Sequence, residues 1–556
     1  MSSPAAEISR ACNYLEQGRL SDALRTLEGA PGADGVVGSS VSLIIRGLIL
    51  EREGNAADAD RCFERVFTQG VPLPVLLQET GKYFKRRGQF DKAYGCYSVL
   101  QNFVSHAITE FLDGLPPAEL SRYAPLVVKR MLSNRQPLFY SLQPIKEALA
   151  SELGAEAAAV AYAEMAGLEP GWDVAHVRLA GLQDFAKEHG LVYEELSTGR
   201  VVDLPPLPVF GDSEPTGTQA RTRAVFFCVL ADTIVSSKSN LLIAGDRALL
   251  DYQTPLEAGP LNLDVDPIAL APADGGVTVV IGREAASGPE LEEAFPLVGV
   301  HSYNYGHWLI ELLPRVLACR DRPGFNSVPI LIDEQMIPQH REALELLVGR
   351  EQPVIVLKRG EAVRVKKLWT CSMFVYFPLG PKPGEWDRAG VSQSIDGQAF
   401  ADLIRALGPA LRAIPQPSGP KRIYLTRKDS QHRRLVNRVE VEAWFSGQGF
   451  EIFDPAELSF ATQLALVRGA DLIVGPDGSG LWSAFLACPG SAVGYLNNPY
   501  LEDHWWIAAL CQSLGLHLSI LTGEVVRQAE DYREFSDYRI HVNALPGFLE
   551  GLLSAP

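Results

Sequence analysis

Apolar residues fall into two textures along this chain. Up to about His189 they recur every three to four positions, as on amphipathic helices, for example over 75–87 and again over 90–103. After Gly190 short apolar runs of strand length take over at 224–230, 240–244 and 277–281, with loop-like stretches at 205–208 and 212–218. An α/β alternation follows: a strand at 328–332, a helix at 340–347 and a strand at 354–357. It is clearest from Ile423 to Leu496. There a strand (423–426) precedes a helix (439–445) that Asn437 is placed to cap and that Gly447 and Gly449 close. A second strand (450–453) leads to a helix from a Ser459 cap to Arg468, and then to a third strand (472–474). The loop Gly475-Pro476-Asp477-Gly478-Ser479-Gly480 opens a third helix at Leu481. Strands alternating with short helices imply a parallel sheet, whose ligands sit beyond the carboxyl ends of the strands.

The helical part repeats. Gly18-Arg-Leu-Ser-Asp-Ala23 returns as Gly54-Asn-Ala-Ala-Asp-Ala59 and as Gly88-Gln-Phe-Asp-Lys-Ala93, the glycines 36 and 34 residues apart. A small residue at the helix turn and alanine where helices approach closely resemble the tetratricopeptide repeat. The resemblance implies a helical repeat domain over 1–190. Its surface would bind a peptide or protein partner, or pack on its own catalytic domain or a second copy. Two α/β halves are then expected at 191–415 and 416–556, joined by the Gly- and Pro-rich stretch 408–420.

Composition narrows the class. With 47% hydrophobic and 21% charged residues, 556 residues suffice for two to four globular domains. A net charge of −17 argues against general nucleic-acid binding, which needs a basic face. The eight cysteines are scattered, with no Cys-x-x-Cys and no zinc spacing, so free thiols in a reducing compartment are expected. The N-terminus lacks the basic start and apolar core of a signal peptide, and no apolar stretch reaches spanning length. A cytoplasmic protein, in some settings peripheral at the inner membrane face, is the expectation.

Two stretches carry chemistry. The first is His301-Ser-Tyr-Asn304-Tyr-Gly306-His307-Trp308-Leu-Ile-Glu311-Leu-Leu-Pro314-Arg315. It reads as a helix from Trp308 with Leu309, Leu312, Leu313 and Val316 inward and a kink at Pro314. His307, Glu311 and Arg315 are spaced four apart and would share a face. This fits a general base with its orienting partner, or equally a half-buried ion-paired histidine. Asn304 lies in the tight lead-in, where its side chain would meet a ligand.

The second stretch places Arg427, Lys428, Arg433 and Arg434 after a strand. Arginine's planar fork suits bidentate phosphate binding. The glycine loop matches neither the dinucleotide fingerprint nor a P-loop. It can bring backbone N–H groups to an anion, or be a tight turn only; Asp477 within it would repel a phosphate unless turned aside or bound to a sugar hydroxyl.

Together these stretches resemble glycosyltransferase family 61. The resembling residues run from Asn304 to Arg315, over Arg422-Ile-Tyr-Leu-Thr-Arg427, Arg433-Arg434-Leu-Val-Asn437 and 450–458, and from Ile473 through Leu481 to Pro489-Gly490-Ser491. The resemblance covers roughly residues 220–525. It implies an α + α/β multidomain chain: the N-terminal tetratricopeptide-like domain, then a GT-B-type pair of Rossmann-like α/β domains, the first on the acceptor side and the second on the nucleotide-sugar side. It implies an inverting glycosyltransferase with a nucleotide-sugar co-substrate, a glycan or protein acceptor, and no metal or other cofactor. His307 and Glu311 would be catalytic. Asn304, Arg315, Arg427, Arg433, Arg434, Asp477, Gly478, Ser479 and Gly480 would bind donor or substrate. Two departures stand out: Asp477 occupies the loop position where the family has His, and Glu311 stands where Asp is frequent. The alternative is a catalytically degenerate, transferase-like scaffold that binds partners through its repeats.

Overall fold

The structure is a computed structural model that describes most of residues 4–126, 172–252, 266–376 and 394–554, with short breaks inside those ranges. Expectations placed on 127–171, on 205–208, on 212–217 of the loop 212–218, and on 414–420 of the Gly- and Pro-rich stretch 408–420 lie outside the described residues. The chain divides into two compact units, 1–154 and 155–556.

The first unit is helical: α1 (Pro4–Glu16), α2 (Leu20–Glu28), α3 (Val36–Arg52), α4 (Ala56–Gln69), α5 (Pro74–Arg86), α6 (Phe90–Leu100) and α7 (Ala107–Leu112). Helices pair as α1/α2, α3/α4 and α5/α6, with each turn at one of the three aligned segments. Ala23, Ala59 and Ala93 are fully buried where the partners meet. The second and third pairs share one close contact. A Cβ on Gly47 would lie 2.8 Å from the Phe63 ring, and a Cβ on Gly81 2.9 Å from the Tyr97 ring. Both contacts repeat with the period seen in the sequence. Gly81→Val should therefore overpack α5 against α6 and destabilise this unit by about 1–3 kcal/mol. Thermal unfolding followed by the helical signal of the full chain checks this.

Among the described residues the second unit holds two large sheets and three two-stranded ones. The larger has the order 354–357, 330–333, 290–297, 362–371, 225–236, 242–244, 247–250, 172–181, 276–282, 269–273. Only its first four strands form a continuous parallel block. The rest is antiparallel apart from one parallel pairing, 172–181 with 247–250. Two expectations change here. The first half is not Rossmann-like throughout, because short connections such as 237–241 return the chain as hairpins and leave no room for crossover helices. The helical pattern is also interrupted before His189: a strand comes first, and only then a short helix, Leu182–Glu188, that His189 ends. Trp172–Gly181 is the strand, paired along most of its length with Gly276–Gly282, its β-branched Val177 suiting an extended backbone.

The smaller of the two large sheets is wholly parallel, in the order Glu451–Phe453, Arg422–Leu425, Leu472–Pro476, Ala492–Asn497, His517–Thr522, Val209–Phe210. Helices Arg438–Gly447 and Phe460–Gly469 lie where the alternation predicts them, and the latter is capped by Ser459. Three details differ. Asn437 sits at the cap position, but its side chain instead ties the backbone of Ile540. Leu481–Leu486 is a 3₁₀ helix, not an α-helix, and so offers little macrodipole to an anion. Gly408 and Pro409 lie inside the helix Gly397–Ala413 and not in a linker. One hydrophobic core joins the sheets, running from Phe227 and Phe295 through Trp308, Leu309 and Leu403 to Ile423, Ile473 and Tyr495.

Candidate functional site

The first sheet ends in a loop that is built before it is used. Asp333, at the carboxyl end of its strand, is buried and accepts from Ser237 Oγ (2.8 Å), Lys238 N (2.8 Å), Gly299 N (3.2 Å) and Ser302 Oγ (2.6 Å). Burial raises its pKa while these bonds oppose the rise. Nearby, Asn240 Oδ1 accepts from Val300 N at 2.9 Å. These bonds fix residues 299–302, and the next turn carries the chemistry.

Asn304 caps that turn, its Oδ1 accepting from Gly306 N (3.0 Å) and His307 N (3.4 Å). The backbone then widens into a π-type turn, Trp308–Leu312, and tightens to a 3₁₀ turn, Leu313–Ala318, at Pro314. Pro314 has no N–H to continue the ladder, so the change of pitch falls at the expected kink. His307 Nδ1 meets Glu311 Oε2 at 2.7 Å. The Glu311 side chain is buried, while His307 is about one-fifth exposed (19%). A carboxylate on Nδ1 selects the tautomer with its proton there and makes Nε2 the basic nitrogen. His301 stacks on His307 with centroids 4.4 Å apart and planes 20° apart. Burial first, and His307 second, hold the His301 pKa well below its ordinary value.

Arg315 departs from the shared face. The shift from π to 3₁₀ pitch turns it away, and its buried guanidinium donates to Thr370 Oγ1 at 3.0 Å. Among the described residues no hydrogen bond or ion pair joins it to His307, Glu311 or the glycine loop.

The glycine loop comes to the base turn directly. Ser479 Oγ donates to Asn304 Oδ1 at 2.7 Å, across 175 residues of sequence. Gly306 lies against Trp482, so a Cβ there would be 2.3 Å from the indole. The indole also packs 5.7 Å from His307 and 4.9 Å from Trp506. Below the turn, Tyr305 Oη donates to Gln463 Oε1 (2.8 Å), and Glu342 accepts from Phe460 N and Ala461 N.

Of the four predicted cations, two reach the loop. Arg427 lies over Gly478, where a Cβ would be 3.1 Å from its Nε, and donates to the Asp477 carbonyl at 3.1 Å. Burial first, then Arg433, push its pKa down to about 10, so it remains a cation at neutral pH. Arg433 adopts a left-handed backbone (φ 55°) and donates to Asp477 Oδ2 at 2.6 Å. The buried Asp477 carboxylate thus faces Arg433, which answers the repulsion it would otherwise give an anion. Gly480 closes the loop against Pro455. Arg434 is elsewhere, bound through Nε and Nη2 to Asp537, and Lys428 pairs with Glu457. Among the described residues no cluster of His, Cys, Asp and Glu could hold a metal ion, and no helix is long and apolar enough to cross a membrane. The cysteines are free thiols.

Sequence reasoning missed Asp333, Trp482 and His340. Asp333 follows an apolar strand at its carboxyl end, which was the available signal. His340 gave none. It is fully buried beside Tyr305 and Trp308, neither ring nitrogen has a hydrogen-bond partner among the described residues, and burial pushes its pKa down to about 3. The folded chain holds this ring neutral, whereas the unfolded chain protonates it below about 6.5. Stability is therefore full above that pH and is lost as pH falls toward the folded value. At pH 5 the loss from this ring is at most about 2 kcal/mol. Denaturant midpoints should drop from pH 7 to pH 5, and less in His340→Phe.

Residues 305–494 match the model of the family described as Glycosyltransferase 61. No curated protein matches the chain. The matched segment contains His307, Glu311, Arg427, Arg433 and the whole glycine loop, and over it the chain is similar to the glycosyltransferases of family 61.

Proposed function

We propose that the chain is an inverting glycosyltransferase that moves a sugar from a nucleotide-sugar donor to a hydroxyl of a glycan or protein. The observation that carries this is the junction of a histidine–carboxylate pair with an arginine-bearing glycine loop through Ser479 and Asn304. The similarity over 305–494 supports it independently.

Nε2 of His307 takes the proton of the acceptor hydroxyl, with Glu311 orienting the ring and stabilising the imidazolium. The acceptor oxygen attacks the anomeric carbon as the bond to the diphosphate oxygen breaks on the opposite face, through an oxocarbenium-like transition state. The leaving diphosphate takes the electron pair. Arg427 and Arg433 hold it and offset its growing charge, and with this electrostatic term no metal is required. Asp477 keeps Arg433 in place. The two large sheets of the second unit would serve as the GT-B-type halves. The helical hairpins of the first unit would be tetratricopeptide-like repeats that recruit the acceptor or a partner protein. The setting is cytoplasmic, at the inner face of the membrane where the acceptor is lipid-linked.

A second reading has one observation in its favour: Asp477 occupies Arg433, as in a transferase-like scaffold that no longer binds a donor. A thermal-shift screen of the full chain with UDP, GDP, CMP and their sugars, with and without Mg²⁺, separates the two. A shift that depends on one nucleotide supports the transferase; its absence throughout supports the scaffold.

A further inference from the structure

We propose that Asn304 and Ser479 form a subsite that reads a hydroxyl of a sugar ring and not a phosphate oxygen. This rests on the reading of the site as one for sugar transfer. The argument is a count of donors and acceptors.

Asn304 Oδ1 accepts from two backbone N–H groups and from the Ser479 hydroxyl. Backbone N–H groups only donate, so they fix which end of the amide is oxygen. The Ser479 hydroxyl has one proton, and an amide oxygen cannot donate, so that proton belongs to Asn304. Toward a ligand Ser479 can then only accept. The Asn304 Nδ2 has two N–H groups and meets no acceptor among the described residues. Both residues are half-buried, so neither is sealed from a ligand.

The pair therefore presents an N–H donor next to an oxygen acceptor, a few ångströms from the His307 turn. An ionised phosphate oxygen accepts only and would face the Ser479 lone pairs unfavourably. A sugar hydroxyl both donates and accepts, and satisfies both groups at once. Phosphate is left to Arg427 and Arg433 on the other side of Gly478, so a single loop separates the two chemistries by one residue. The hydroxyl can come from the transferred sugar or from the ribose of the nucleotide.

The test is calorimetric titration of the full chain and of Ser479→Ala, with Ser479→Thr as the variant that keeps the hydroxyl. The probes are inorganic pyrophosphate, which has no hydroxyl, the nucleoside diphosphates and CMP, and their sugars. Ser479→Ala should bind pyrophosphate within about twofold of the parent and lose about tenfold for the ligand that supplies the hydroxyl. Loss for both nucleotide and nucleotide-sugar assigns the ribose; loss for the nucleotide-sugar alone assigns the sugar. Ser479→Thr should restore most of the loss. Pyrophosphate binding that falls as far as the rest, or no change with any ligand, overturns the proposal. If the parent binds neither nucleotides nor pyrophosphate, the donor reading fails by itself. The subsite is then decided by saturation-transfer NMR with a panel of methyl glycosides: signals that Ser479→Ala and Asn304→Asp both weaken support it, and equal signals or none overturn it.

Discussion

His307→Ala lowers sugar transfer by about 10²–10⁴-fold, the contribution typical of a positioned general base. The loss should fall on turnover and leave donor affinity nearly unchanged, because His307 acts on the acceptor's proton and not on the diphosphate. One structural complication is built into the site. Glu311 is buried and receives His307 Nδ1 at 2.7 Å, so removing the imidazole takes a hydrogen bond from a buried carboxylate. His307→Asn deals with this. Its amide N–H falls near the position of Nδ1 and can still serve Glu311, yet it has no basic nitrogen. Equal losses in the two variants, measured as nucleotide released per minute at matched thermal midpoints, locate the effect in the base.

Arg427→Ala should weaken donor binding by about 10–100-fold, the worth of a lost charge-assisted hydrogen bond in a recess. Its guanidinium donates to the Asp477 carbonyl, and no carboxylate hydrogen-bonds it among the described residues. Arg433 is half-neutralised by Asp477 and should show a smaller loss on replacement. Arg434→Ala should leave donor affinity within about twofold, since Asp537 already holds that side chain by two side-chain bonds. Calorimetric titration of the three variants gives the order 427, 433, 434. A dominant effect at Arg434 would mean that the anion lies on the other side of the loop.

How much of this was legible in the sequence depends on whether the signal was local. The strands and helices of 423–496 followed from alternation and turn residues, and the four-residue spacing of His307 and Glu311 became a real hydrogen bond. The helical hairpins followed from three aligned glycines. Spacing failed at Arg315, because the same rule assumes a constant pitch and Pro314 changes it. Of the charge run, Arg427 and Arg433 reach the loop, but only the fold reveals that Asp537, more than 100 residues away, claims Arg434. The contact between Ser479 and Asn304 likewise spans too much chain for any local pattern. Asp333 is buried among four donors and His340 beside aromatic rings, and burial, which gives them their significance, is a tertiary property. The mixed character of the larger sheet was missed because short apolar runs look alike in parallel and antiparallel strands.

The most direct test is nucleotide release from a panel of nucleotide-sugars by the full chain, beside His307→Asn. The account predicts release with one class of nucleotide-sugar, slow with water and faster with an acceptor, falling by at least about 10²-fold in the variant while nucleotide affinity is kept. Release that is undiminished in His307→Asn would contradict the assignment of the base, and nucleotide binding without release under any condition would contradict the assignment of a transferase.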